Sequence, residues 1–310
     1  MRLVADIGGT NSRLAVADSD GLRANSVRSY RNAAFPSFLA VVQTFLSEAS
    51  PQNLAEVALA VAGPVDGGTA RLTNRGWDIS ATELAAHIGA GRAAIINDLV
   101  ALGYAVPWLG RDELDMIVGG EPEPVTPHQS LIVGIGTGFN VSAVVQTEDN
   151  VVCLRSEFGH IGLPAGVARA LDARLDGLSM HFPTVEHCFS GRGFAEVCRL
   201  LTDREGLGPE EFFAIYRQGG SPDVIEAVDC YAELVGWLLR ELMLAFLPTS
   251  GVYFAGSVAR SILTAPSRSG FQDIVSRPYQ IEFHERTPVH VISSDTAALN
   301  GCARVPCVSV

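Results

Sequence analysis

The chain has little positive charge and no cysteine spacing of the kind that marks a metal or redox site. Its six cysteines, Cys153, Cys188, Cys198, Cys230, Cys302 and Cys307, include no C-x-x-C pair. That removes the usual zinc signature and the redox dithiol and leaves reduced thiols as the plain reading. Basic residues number 22 against 34 acidic ones, for a net charge of -12 and a pI near 5.0. No cluster of them is long enough to form a nucleic-acid footprint, so DNA and RNA are not expected as partners. The segment that begins at Met1 lacks the apolar core and small-residue cleavage site of a signal peptide, so no export signal is read and a cytoplasmic location is expected. The most apolar stretch, 223–247, is interrupted by Glu226, Asp229, Glu233, Arg240 and Glu241; it reads as a core helix, and no membrane partner is expected. Gly134-x-Gly136-x-Gly138 lacks the third spacing of the dinucleotide fingerprint and the lysine of a Walker A loop, so neither of those nucleotide folds is supported.

What is present is a chain of 310 residues, 47% hydrophobic and with 31 glycines, long enough for two domains of roughly 150 residues. Short apolar runs at 3–7, 57–62, 93–96, 131–135 and 252–255 each stop at Gly, Pro, Asn or Asp and read as buried strands whose ends carry the chemistry. Helical patterns at 36–49, 80–88, 99–104, 194–201, 209–216 and 223–247 alternate with them, giving a mixed α/β architecture. Residues 112–129, rich in Glu, Pro and Gly, read as a linker or surface excursion, with the main boundary just before it. Asp6-Ile7-Gly8-Gly9-Thr10-Asn11 and Gly134-Ile135-Gly136-Thr137-Gly138 echo one another as apolar strand followed by a Gly-Thr turn.

Four constellations carry chemistry. Asp6 sits at a strand end beside Gly8, Gly9, Thr10 and Asn11, where backbone N–H groups can approach a phosphate while the carboxylate orients a hydrated Mg²⁺; the plain alternative is an ordinary hairpin turn. Gly136 to Gly138 follows a clean strand and lets backbone approach a ligand, or simply permits a turn. Asn97-Asp98 lies at the mouth of the strand 93–96, so Asp98 can serve as a general base, or either residue can cap the helix that begins near Leu99. Glu157-Phe158-Gly159-His160, and Glu186 ahead of Ser190-Gly191-Arg192-Gly193, offer the planar polar groups that hold polyols. A structural histidine and a surface glutamate are the plain alternatives there.

In this order the segments resemble the bacterial glucokinase family, within the actin-like ATPases and sugar kinases, over nearly the whole length. The pieces that carry the resemblance are residues 5–15, Ala62-Gly63-Pro64-Val65, Leu72-Thr73-Asn74-Arg75-Gly76-Trp77, Ile95 to Leu99, Gly136-Thr137-Gly138, Glu157 to His160, Glu186 with Ser190-Gly191, and Phe254 to Val258. The resemblance implies an α/β, two-lobed actin-like ATPase (ribonuclease H-like) fold. Its cleft would lie between a small α/β domain, 1–108 with 297–310 returning to it, and a larger α+β domain, 109–296. It implies ATP-dependent phosphorylation of the glucose 6-hydroxyl, with closure on sugar binding. Asp98 would be the base, and Asn97, Asp98, Glu157, His160 and Glu186 would bind sugar hydroxyls. Gly8 to Asn11 and Gly136 to Gly138 would face the ATP phosphates, Asp6 would orient Mg²⁺ through water, and Gly256 would line the adenosine pocket. A homodimer is the expected assembly. With no C-x-x-C pair, His160 has no metal partners and is expected to contact a hydroxyl.

Four departures from the family pattern stand out. Phe139-Asn140 replaces the usual Leu-Gly after Gly-Thr-Gly, adding a side chain near the phosphates at a residue type that tolerates left-handed backbone. Ser257 replaces the second glycine of Ala-Gly-Gly, Phe158 replaces a glycine, and 297–310 lacks a long final helix. Asn140 and Ser257 motivate an alternative reading, a sugar-binding homologue with weak or lost turnover; a kinase for another hexose is the other. A sugar-responsive transcription factor on the same fold would need a DNA-binding module, which an acidic chain starting at the first catalytic strand does not supply.

Overall fold

The computed structural model describes residues 1–72, 75–120, 126–279 and 287–310. Thr73 and Asn74 of the 72–77 piece, and 121–125 of the expected linker, lie outside the described residues. The chain separates into two compact units, Met1–Leu109 with Ser294–Val310, and Gly110–Ser293.

The first unit is built on a seven-stranded sheet with Arg2–Ile7 near its centre. That strand pairs antiparallel with Asn11–Asp18 and parallel with Glu56–Val61, which in turn runs parallel to Arg92–Asn97. Leu3, Val4, Ala5 and Ile7 are all fully buried, the near-continuous apolar pattern of a strand covered on both faces. Leu3, Ala5 and Ile7 belong to the core beneath helix Phe38–Ala49, with Val41, Val42 and Phe45. Val4 faces the other way, onto Ala101, Leu299 and Cys302 of helices Asp98–Ala105 and Ala297–Cys302. These last two helices touch so closely that a Cβ at Gly301 would fall on the carbonyl oxygen of Ala101. Ile7, Val61 and Asn97 share one level across the three parallel strands, so Asp6 and Asp98 arrive at the same carboxyl end of the sheet, where open α/β sheets bind ligands. A three-stranded meander, Val65–Asp66, Thr69–Leu72 and Trp77–Ser80, follows Glu56–Val61. Val308–Ser309 closes one sheet edge against Arg92–Asn97.

The second unit holds a six-stranded sheet in which His128–Ile135 lies between antiparallel Phe139–Gln146 and parallel Gly251–Ala255. Helix Pro222–Phe246 packs into the core of this unit through Val224, Tyr231, Leu238, Leu239 and Leu242.

The linker expectation for 112–129 is corrected. Leu114–Val118 is a strand of this sheet, paired antiparallel with Val289–Ile292, and His128 and Gln129 already belong to the next strand. Leu-Asp-Met-Ile-Val is an edge strand with only Ile117 fully inside, and a single buried side chain leaves too little alternation to stand out between acidic and proline-rich neighbours.

Candidate functional site

In the first unit, Asp6 ends the central strand directly across from Arg13, its register partner, with the guanidinium 3.5 Å from the carboxylate. Burial raises its carboxyl above the usual range, and Arg13 pulls the other way. The turn that follows closes with Gly8 N–H donating to Asn11 O at 3.0 Å. It is held from behind by Asn32, fully buried, whose Nδ2 donates to Gly8 O at 2.7 Å and whose Oδ1 accepts from Ser12 Oγ at 2.8 Å. Asn32 N–H also donates to Thr10 O at 2.9 Å. Asn32 was missed in the sequence, where it lies in an unremarkable Arg31-Asn32-Ala33 run; its only signal is an amide side chain that has no apparent local role.

Asn97 and Asp98 divide two tasks between them. Asn97 is the cap: its Oδ1 accepts from Leu99 N–H at 2.9 Å and its Nδ2 donates to Gly63 O at 3.1 Å. Asp98 is the first residue of the helix and accepts from the same N–H at 3.0 Å. Burial first, and then the neighbouring negative charge of Asp6, push the Asp98 carboxyl up to about 6. A carboxylate poised near neutral pH can accept a proton from a hydroxyl.

In the second unit the remaining groups interlock around one turn. Gly136 N–H donates to Gly138 O at 3.0 Å, and Gly191 N–H, at the start of helix Gly191–Thr202, donates to Gly136 O at 2.7 Å. Thr137 is exposed between them. Glu186, in the first turn of helix Val185–Phe189, accepts from Phe139 N–H at 3.1 Å, and a Cβ at Gly138 would come within 2.8 Å of its Oε2. The Arg192 guanidinium lies 3.8 Å from the same carboxylate. A Cβ at Gly159 would fall on Phe139 O, and one at Gly256 on Ile135 O, while Gly256 also has φ +97. Glycine at 159 and 256 is therefore demanded by close approach to backbone, and at 256 by backbone geometry as well, while a side chain at 138 would displace the Glu186 carboxylate. Glu157 and His160 flank the single turn Phe158–His160, their side chains 69% and 70% exposed and 4.0 Å apart. His160 is thus an exposed side chain and not a buried one.

Asn140 makes no use of the left-handed backbone that asparagine tolerates. Asn140 sits in regular strand opposite Gly134, and its amide is engaged by Ser156 and Phe158. Ser257 is the exposed first residue of helix Ser257–Leu263.

Among the described residues no group of three or more His, Cys, Asp or Glu could hold a metal ion, and no helix is long and apolar enough to cross a membrane. The carboxylate of Asp6, mostly buried with 19% of its side chain exposed, fits a hydrated Mg²⁺ that arrives with its phosphates, an ion that needs only one or two protein carboxylates.

A family model described as Glucokinase matches residues 3–306. The glucokinase of Nitrobacter hamburgensis is 31% identical over 321 residues, covering 99% of this chain and 97% of that protein. That of Caulobacter vibrioides is 30% identical over 314 residues, covering 97% and 93%. Among solved structures, a glucokinase from an Antarctic psychrotroph superposes with a TM-score of 0.83 at 25% identity, covering 98% of this chain and 97% of that one. A ROK family glucokinase from Streptomyces griseus, in complex with glucose and AMPPNP, shares the fold with a TM-score of 0.62 at 20% identity, over 97% and 98% of the two chains. The architecture is that of the actin-like ATPases. With the family model spanning nearly the whole chain and the glycine turns and carboxylates following one another in the order the motifs require, the chain belongs to the glucokinase family.

Proposed function

We propose that this chain transfers the γ-phosphoryl group of ATP to the 6-hydroxyl of glucose, with Asp98 as the base. The observation that carries the assignment of the base is the position and acidity of Asp98, at the carboxyl end of a parallel strand with its carboxyl pushed up to about 6. In this reading Asp98 accepts the hydroxyl proton as the oxygen attacks the γ-phosphorus in line with the departing ADP. Asn97, Glu157, His160 and Glu186, together with Asp98, hold the sugar hydroxyls. Glu157 and His160, both exposed, are open to a polyol, and Glu186 is braced by Phe139 N–H. Backbone N–H groups of Gly8 to Asn11 and of Gly136 to Gly138 meet the phosphates, and Gly256 lies beside the adenosine. Asp6 holds a hydrated Mg²⁺, which neutralises charge on the phosphates when bound. Support comes from the family membership and from the Streptomyces griseus relative, whose complex contains glucose and an ATP analogue. A cytosolic homodimer completes the reading; a mass of about twice 32.9 kDa by light scattering would bear it out and a single-chain mass would remove it.

The test is ATP-dependent phosphorylation of glucose, mannose, fructose and N-acetylglucosamine by the native chain and by Asp98→Ala. Turnover with glucose that falls by roughly 10²-fold or more in the variant is expected. A different preferred hexose corrects the substrate alone. Sugar binding without turnover on any of them overturns the kinase reading in favour of a binding protein.

A further inference from the structure

The two carboxylates assigned to the sugar in the second unit are fastened to consecutive residues of one strand. Phe139 N–H holds Glu186 at 3.1 Å. The next residue, Asn140, holds the segment that carries Glu157. Its Oδ1 accepts from Phe158 N–H at 3.0 Å, from Ser156 Oγ at 3.1 Å and from Val141 N–H at 2.9 Å. Its Nδ2 donates to Ser156 O at 2.6 Å and reaches Glu157 Oε2 at 3.4 Å. N–H and O–H donors on one side and carbonyl and carboxylate acceptors on the other leave the amide one orientation that satisfies them all. Residues 155–157 have no regular structure of their own, so this amide takes the place of a ladder or a helix in fixing them. A glycine at 140 would be compatible with the backbone, which is ordinary strand, but would supply none of these bonds.

We infer that Asn140 is a positioning residue for sugar recognition: it pins residues 156–158 to the strand that leaves the Gly136–Gly138 turn, and so sets where Glu157 and His160 present themselves. The inference rests on the reading of Glu157 and His160 as sugar contacts. It assigns to Asn140 a role on the sugar side and none in weakening ATP use.

The experiment compares the native chain with Asn140→Ala, Asn140→Gly and Asn140→Asp by steady-state kinetics in glucose and in ATP, and by hydrogen exchange at the Phe158 amide. Thermal melts confirm that each variant is folded. The Ala and Gly variants are expected to raise the glucose KM by roughly tenfold, the scale of leaving partly buried polar partners unpaired. Their KM for ATP stays within about twofold of native, because no phosphate contact is lost. In both, the Phe158 amide exchanges faster. Asn140→Asp is nearly isosteric and guards against a folding artefact: it keeps the acceptor, so the Phe158 amide stays protected, but it sets a second carboxylate beside Glu157 and raises the glucose KM. An unchanged glucose KM with unchanged exchange, or a change confined to the ATP KM, overturns the inference while native turnover leaves the kinase reading standing. A native chain that neither binds nor phosphorylates sugar removes the kinase reading itself, and the exchange result still decides whether Asn140 pins the segment.

Discussion

Asp98 links chemistry to stability at a single side chain. Its carboxyl is pushed up to about 6 by burial and by Asp6, against roughly 3.9 in an unfolded chain. The folded protein therefore binds this proton more tightly than the unfolded chain does. The resulting penalty is absent below about pH 4, grows between pH 4 and 6, and is fully present above that. Two consequences follow for the pH dependence. The kcat/KM for sugar should fall about tenfold per unit below about pH 6, as the base becomes protonated. Asp98→Asn, which keeps the acceptor for Leu99 N–H, should lose turnover yet unfold with a free energy higher by about 1 to 3 kcal/mol at pH 7.5, and with no gain near pH 4. Urea titrations at the two pH values check the sign, and an equal effect at both would reject burial as the cause. Asp98 was visible in the sequence because a carboxylate closes an apolar run. Asn32 was not, since what it does depends on a contact with Gly8, 24 residues away in the chain.

At the scale of elements, legibility followed burial. The strands Arg2–Ile7, Glu56–Val61 and Gly251–Ala255, and helix Pro222–Phe246, carry dense apolar patterns and were read to within a residue or two. Leu114–Val118 and the meander of Val65–Asp66, Thr69–Leu72 and Trp77–Ser80 are short and half exposed, and pairing, with a distant strand in the first case and within the meander in the second, is what makes them strands. The helix pair Asp98–Ala105 and Ala297–Cys302 shows a different kind of information. Its closeness depends on Gly301, whose Cβ would collide with backbone at Ala101, a carbonyl that cannot swing aside as a side chain can. Gly301→Val is expected to destabilise the first unit by about 3 kcal/mol or more, beyond ordinary overpacking. An unchanged urea midpoint would mean the helices part without cost. A loss would also be felt at Asp98, because that residue opens one of the two helices.

For the whole molecule, charge and connectivity set the terms. The 22 basic side chains are all arginine, so a basic side chain meets an anion as a guanidinium and never as a lysine ammonium. That composition agrees with the glycine turns as the places where phosphates are handled. Connectivity matters more. Residues Gly110–Ser293 form a unit inserted into the sequence of the other, and the short segment after it contributes Leu299, Cys302, Val305 and Cys307 to the core face shared with Val4, Ala15, Ala58 and Ala60. A chain cut after Thr296 should leave that face open and melt its first unit well below the native temperature, while hydrogen exchange in helix Pro222–Phe246 stays protected; equal melting of the cut and native chains would dismiss the segment as a passive tail.

That arrangement also sets an order of events during biosynthesis. The strands of the first unit leave the ribosome before helix Ala297–Cys302 exists, and Asp6, which lies near Cys302, is then open to water on the side that Leu299 and Cys302 later cover. The inserted unit emerges whole and can fold in the meantime. Helix Asp98–Ala105 covers part of that face early, and the rest of the cover comes only with residues 297–307, after every group assigned to the site has been made.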